Sequence, residues 1–298
     1  MKKAIIASLL STALLIPASA YAAESKGNVS TSKPKSTISA NKANGWVQSG
    51  GTWYYYKNGV KATGWQSIGG KWYYLGSYGT METGWVSIYN QTTGKYTYYY
   101  MDKNSGAMKT GWVLDNGYWY YLNNDGSRQT GWLSLGNKWY YLGSYGVMET
   151  GWVSIYNQST AKYTYYYMDK SSGAMKTGWV LNNGYWYFLN SSGAKQTGWQ
   201  LIGGKWYYLG SYGEMATGRQ YINNVYYYLN SSSGAMETGW KKVGNYWHFF
   251  NNNGSEYYGW LKYGGSWYYL DSYGEMATGQ KWIDSKYYYF NASGVWLG

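Results

Sequence analysis

The sequence predicts an all-β fold, a solenoid of stacked β-hairpins. Three observations predict it. A Gly-Trp step, or its substitute, recurs at 45, 64, 84, 111, 131, 151, 178, 198, 218, 239, 259 and 279, mostly at intervals of 20 residues. Each step leads through a Gly- or Asn-bearing turn into an aromatic run such as Trp72-Tyr73-Tyr74-Leu75. Every third repeat departs from its neighbours in the same way. Short aromatic and β-branched runs joined by such turns are hairpin signals. A lone hairpin is barely stable in water, so neighbouring hairpins must bury each other's aromatic faces.

Composition agrees. Of 298 residues 22 % are aromatic, with 42 Tyr and 20 Trp against 4 Phe, so the excess lies in rings that carry a polar handle. Such a chain is neither disordered, which needs few aromatics, nor built on an ordinary aliphatic core. There is no Cys, hence no disulfide, Cys-ligated zinc or thiol chemistry. The single histidine, His248, rules out a His-rich metal site and reads as a packing substitute for Tyr. The 13 acidic residues are scattered, mostly near turns, and offer no paired carboxylates for acid–base work. The chain is therefore expected to be no enzyme, with no catalytic residue, metal or cofactor.

Taken from the start, Lys2 and Lys3 precede an apolar run over residues 4–16, and Ala20-Tyr21-Ala22 supplies a small-x-small cleavage pattern. Residues 1–22 read as a signal peptide, the run being too short to span a membrane comfortably. Residues 23–44, rich in Ser, Lys, Thr and Asn with Pro34, read as a flexible spacer. Residues 45–298 are the repeat region, in which Pro is absent, so every strand can donate its backbone hydrogen bonds. No later segment is apolar enough for a membrane span. Losing Lys2 and Lys3 lowers the net charge from +12 to +10, which still favours phosphate-rich polymers. Nucleic acid and teichoic acid both qualify, and export favours the wall polymer.

The repeats carry a second period. Repeats at 84 and 151 are 27 residues long, and at 84, 151, 218 and 279 the second-strand tryptophan gives way to Tyr98, Tyr165, Tyr226 and Tyr287. Ser-Tyr-Gly (Tyr78, Tyr145, Tyr212, Tyr273) marks every middle repeat. Four triplets result, starting at 45, 111, 178 and 239. They suit a superhelix with about three hairpins per turn, or equally the duplication of a three-hairpin block.

Side chains alternate across a strand, so Trp72 and Tyr74 share one face and Tyr73 and Leu75 the other. One set can pack inside and the other can line grooves between hairpins. Indole and phenol faces can hold a quaternary ammonium by cation–π attraction or stack on a sugar. Seven methionines (Met81, Met108, Met148, Met175, Met215, Met236, Met276) sit three residues before the next opening glycine, either as a groove wall or as junction filler. Lys61, Arg128, Lys195 and Glu256 hold that position elsewhere, so one column of grooves should differ from the other two.

The Gly-Trp step, the Trp-Tyr-Tyr strand and the junction Gly-Ala-Met-Lys-Thr-Gly-Trp at 106–112 and 173–179 resemble the choline-binding, or cell-wall-binding, repeats of Gram-positive surface proteins. The resemblance covers residues 45–298. It implies a left-handed superhelix with about three hairpins per turn. It also implies aromatic boxes that take two rings from one hairpin, a Tyr from the next, and often a Met. Carried over, the boxes are Trp65, Trp72, Tyr100 and Met81; Trp85, Tyr98, Tyr121 and Met108; Trp132, Trp139, Tyr167 and Met148; Trp152, Tyr165, Phe188 and Met175; Trp199, Trp206, Tyr228 and Met215; and Trp260, Trp267, Tyr289 and Met276. Weaker boxes, without Met, are Trp46, Trp53 and Tyr74; Trp112, Trp119 and Tyr141; Trp179, Trp186 and Tyr208; and Trp240, Trp247 and Tyr269. Arg219 and Gln280 stand where the opening tryptophan should be, which disables their boxes for a cation. The implied partner is a choline-bearing teichoic acid or related wall polymer, and the implied place is secreted and wall-associated. The alternative is an adhesin whose repeats stack on glucan or host glycan. Export argues against nucleic acid.

Overall fold

The computed structural model describes residues 43–298. The expected signal peptide and all but the last two residues of the spacer lie outside the described residues. Those described form twelve antiparallel sheets, ten of two strands and two of three, and no helix. The expected all-β fold of stacked hairpins is what the structure shows. The residues fall into two compact units, one running to Val153 and including Met168–Met175, the other made of Ser154–Tyr167 and Lys176–Gly298.

Hairpins one to five of the first unit are Gly45–Ser49 with Thr52–Lys57, Gly64–Ile68 with Lys71–Leu75, Gly84–Asn90 with Lys95–Met101, Gly111–Asp115 with Tyr118–Leu122, and Gly131–Leu135 with Lys138–Leu142. The sixth, Gly151–Asn157 with Lys162–Met168, contains the division. Hairpins seven to twelve of the second unit open at Gly178, Gly198, Gly218, Gly239, Gly259 and Gly279.

The turns set the register. Gly69 and Gly70 (φ 58° and 75°), like Asn116 and Gly117 (φ 49° and 83°), are both left-handed, as a two-residue type I′ turn requires. This turn pairs Trp65 with Tyr74 and Ser67 with Trp72 across the strands. The opening tryptophan thus lies on the same face as the first and third aromatics of the second strand. The other face carries Tyr73 and Leu75, which are 7 % and 0 % exposed. The residue in the Leu75 register is fully buried in each hairpin from the second to the eleventh: Leu75, Met101, Leu122, Leu142, Met168, Leu189, Leu209, Leu229, Phe250 and Leu270. At about 25 cal/mol per Å² of apolar surface, these buried residues supply much of the driving force that a lone hairpin lacks.

Hairpins are joined through the segment that precedes each opening glycine. Leu75 bridges to Met81 and Met101 to Met108, so this segment forms a short third strand on its own hairpin. Its other edge faces the preceding hairpin. The Met81 amide donates to the Trp53 carbonyl (2.8 Å), and the Met108 amide to the Trp72 carbonyl (2.7 Å). The same bond recurs from Met148 to Trp119, Met175 to Trp139, Met215 to Trp186 and Met276 to Trp247. At these junctions backbone hydrogen bonds therefore run from a hairpin to the one before it.

Candidate aromatic boxes between hairpins

The opening tryptophans meet rings from two hairpins, two from their own and one from the next. The first two lie along the hairpin's own second strand: Trp65 stands edge-on to Trp72 (6.3 Å) and to its cross-strand partner Tyr74 (5.3 Å). The third comes from the next hairpin, Tyr99 at 4.8 Å. The same arrangement joins Trp46 to Tyr73 (4.9 Å), Trp85 to Tyr120 (4.7 Å), Trp112 to Tyr140 (5.1 Å), Trp179 to Tyr207 (5.0 Å), Trp199 to Tyr227 (4.8 Å), Trp240 to Tyr268 (5.0 Å) and Trp260 to Tyr288 (4.8 Å). Edge-on pairs of this kind are favourable beyond the area they bury.

This corrects the expected third ring by one residue. Tyr74, Tyr100, Tyr121, Tyr141, Phe188, Tyr208 and Tyr269 do not cross to the preceding hairpin's tryptophan. They sit 5.1–5.3 Å from the tryptophan of their own hairpin: Trp65, Trp85, Trp112, Trp132, Trp179, Trp199 and Trp260. Tyr228 and Tyr289 lie across their strands from Arg219 and Gln280. Tyr167 donates to Asn182 (3.2 Å). The reason is the two-residue period of a strand. One face points forward to the next hairpin and the other back, so only the middle aromatic can face backward. The alternation is readable in the sequence; which of the two faces turns back is not.

The closing residue is corrected too, by one hairpin. Met81 lies not with Trp65 and Trp72 but with Trp46, Trp53 and Tyr73. Its backbone bond to Trp53 places it there. By the same bond Met108 belongs with Trp72, Met148 with Trp119, Met175 with Trp139, Met215 with Trp186 and Met276 with Trp247. The boxes of Trp46, Trp112, Trp179 and Trp240, expected to lack a methionine, have one. The pair Trp85 and Tyr98 is closed by Arg128, Tyr165 by Lys195, and Trp260 and Trp267 by Trp296.

The boxes are open to solvent on one side. Trp72, Trp139, Trp186, Trp206, Trp247 and Trp267 are 40–48 % exposed. A cleft of about 280 Å³ is lined by Trp179, Trp186, Tyr207 and Met215, with Ser232 and Ser233 from the loop beyond. Another, of about 370 Å³, is lined by Trp260, Trp267, Tyr288 and Trp296. Burial pushes the phenols of Tyr73, Tyr99 and Tyr140 above their ordinary pKa, so these walls stay neutral π surfaces. They can attract a cation by the ring quadrupole, but they hold no nucleophile–base pair.

Two polar clusters were not foreseen. Asp115, 5 % exposed, accepts from Trp85 Nε1 (3.1 Å), the Tyr100 hydroxyl (3.1 Å) and Lys103 Nζ (2.6 Å). It thereby fixes the orientation of the Trp85 indole. Glu256, buried at the junction position, takes two hydrogen bonds from Arg219 Nε and one at 2.6 Å from its Nη2; it lies 2.7 Å from His248 Nδ1 and accepts from Tyr258 (2.8 Å). His248 stands in the middle-aromatic register, as a packing substitute would, but its Nδ1 also lies within hydrogen-bond distance of Glu256. Among the described residues no cluster of three metal-ligating side chains exists.

An open cleft walled by neutral aromatic rings thus recurs between hairpins, the architecture of a repeat array. The profile of the family described as "Choline-binding repeat" matches residues 62–111, 109–148, 196–238 and 237–280, and that of "Putative cell wall binding repeat" matches 44–59, 177–195 and 280–295. The chain belongs to the choline-binding repeat family, whose members are cell-wall-binding proteins. It is similar to CbpJ of Streptococcus pneumoniae TIGR4 (35 % identity over 85 % of this chain and 99 % of that one, TM-score 0.63). It is also similar to choline binding protein F of Streptococcus pneumoniae (33 %, 86 % and 100 %, TM-score 0.58), which has also been solved in complex with ipratropium. A further match is the modular autolysin LytC of the same species (25 % identity, TM-score 0.51), of which this chain spans about half (53 %). No curated protein sequence matches the chain.

Proposed function

We propose that this is an exported, non-catalytic protein that attaches to the cell wall by holding choline groups of teichoic or lipoteichoic acid in the boxes between hairpins. The carrying observation is the repeated cleft itself. In the seventh hairpin, Trp179 and Trp186 and the middle tyrosine of the next, Tyr207, wall a solvent-open cleft of about 280 Å³, large enough to admit a trimethylammonium group. Ipratropium, with which the related CbpF has been crystallised, is itself a quaternary ammonium.

One cation–π contact contributes about 0.5–2 kcal/mol, so a three-ring box supplies about 3–5 kcal/mol, roughly millimolar affinity. Retention then comes from many boxes meeting many cholines on one polymer. The net positive charge suits a choline carried on a phosphodiester chain better than a free cation. The mature chain would begin after residue 22, carry a flexible spacer to residue 44, and bind through residues 45–298. Choline-agarose should retain the purified protein, and free choline at millimolar concentration or above should elute it. Passage through choline-agarose with retention on a dextran column would replace this reading with glycan binding.

A further inference from the structure

The boxes of hairpins three, six and nine differ from the rest. In each, a cation of the protein itself lies within 5 Å of the ring that stands in the register of the second-strand tryptophan (Tyr98, Tyr165, Tyr226), closer than Lys262 of the eleventh hairpin, which is 5.8 Å from Trp267. The Arg128 guanidinium is 4.2 Å from the centre of the Tyr98 ring and 5.8 Å from Trp85. Lys195 Nζ is 4.6 Å from Tyr165. The Arg219 guanidinium is 3.7 Å from Tyr226. These distances are those at which a ring attracts a bound cation.

The three cations arrive by two routes. Arg128 and Lys195 occupy the junction position that methionine holds elsewhere. Arg219 occupies the opening tryptophan position, and Glu256, at the junction, neutralises it. The seat beneath them is also shared. A side chain on Gly146 would come within 2.6 Å of Arg128, on Gly213 within 3.0 Å of Lys195, and on Gly274 within 2.7 Å of Glu256. Lys195 Nζ donates to the Tyr212 carbonyl (2.6 Å) and Arg219 to the Tyr273 carbonyl (3.1 Å). These are the Ser-Tyr-Gly loops that mark the middle repeats. Arg128 Nε is buried and finds no hydrogen-bond acceptor among the described residues.

We infer that these three boxes are self-filled: a tethered side-chain cation takes the place of the ligand, and only the eight hairpins with tryptophan at both box positions are left to bind. The inference rests on the choline reading above. A tethered cation is always present at its site, whereas choline must be recruited from solution, so entry would require displacing it. The self-filled boxes hold their hairpins together whether or not the wall polymer is bound.

Equilibrium dialysis of the full chain against saturating choline chloride tests this. About eight cholines per chain are expected, and the R128M/K195M variant should take up about two more, because methionine fits the same seat in the other boxes. A wild-type value near ten, or an unchanged count in a variant with native circular dichroism, overturns the inference. Independently, the Arg128 guanidinium Nε–H resonance of the choline-free wild type should show an upfield NMR shift from the Tyr98 ring current. An unshifted resonance overturns the inference whatever the dialysis reads. If no choline binds at all, the choline reading falls and the ring-current shift alone decides whether the boxes are self-filled.

Discussion

Tyr99 meets the indole of Trp65 edge-on at 4.8 Å although the two residues belong to different hairpins. Tyr100, its neighbour in sequence, points the opposite way, is buried, and donates a hydrogen bond to Asp115. The two positions should therefore fail differently. Y99A should remove one choline site and cost little affinity elsewhere. Y100A should cost about 3–5 kcal/mol of stability in urea unfolding, through a buried cavity and a carboxylate deprived of a donor. Equal loss of stability in both variants would contradict the assignment of faces.

The loop glycine of one hairpin and the methionine of the junction before it form a matched pair. Gly106 has φ +71°, and a Cβ added there would overlap the Met81 side chain. G106A should destabilise by about 1–3 kcal/mol, from left-handed strain together with the clash. M81A alone leaves a cavity beside Trp46 and Tyr73. In G106A/M81A the clash vanishes and the strain stays, so a double-mutant cycle should show favourable coupling of about 1 kcal/mol. Strict additivity would show that the two residues do not meet.

The last turn uses poor residues for its shape. Asp284 and Ser285 hold φ 47° and 65°, where the other turns of this kind place Gly or Asn. S285G should raise stability by about 1 kcal/mol by relieving left-handed strain. A thermal melt measures it. The substitution leaves the box rings untouched, so choline retention should not change.

Acid should loosen the ninth and tenth hairpins. Burial works to raise the Glu256 pKa, but hydrogen bonds from His248, Arg219 and Tyr258 overcome it and hold the carboxyl below its ordinary value of 4.5. As pH falls, the unfolded chain therefore takes up this proton before the folded one does. The stabilisation is complete above about pH 4.5 and is lost as pH falls through the lower folded value. E256Q should cost about 3 kcal/mol at pH 7, because it leaves the Arg219 charge without its partner. Urea unfolding at pH 7 and pH 3 should show the gap between wild type and E256Q narrowing in acid.

Much of the fold was legible because its signals are local. The Asn-Gly and Gly-Gly turns, the aromatic runs and the repeating Gly-Trp step each act within about ten residues. That Trp65 and Trp72 meet within one hairpin was legible for the same reason. The partner rings were not. Choosing Tyr100 over Tyr99 is a one-residue slip, and in a strand that slip reverses the face. The methionines were placed one hairpin late because their backbone bonds to the preceding hairpin, Met108 to Trp72 among them, join residues far apart in sequence.

The amino-acid sequence by itself determined a repeating β-hairpin chain, rich in neutral rings and in residues suited to type I′ turns. Tertiary structure decided which ring looks backward, which junction residue closes which cleft, and that Arg128, Lys195 and Arg219 rest on rings of the protein itself. The physical reason is that turn conformation and strand alternation are properties of neighbouring residues, whereas a cleft between hairpins exists only once backbone pairing has set one repeat against another.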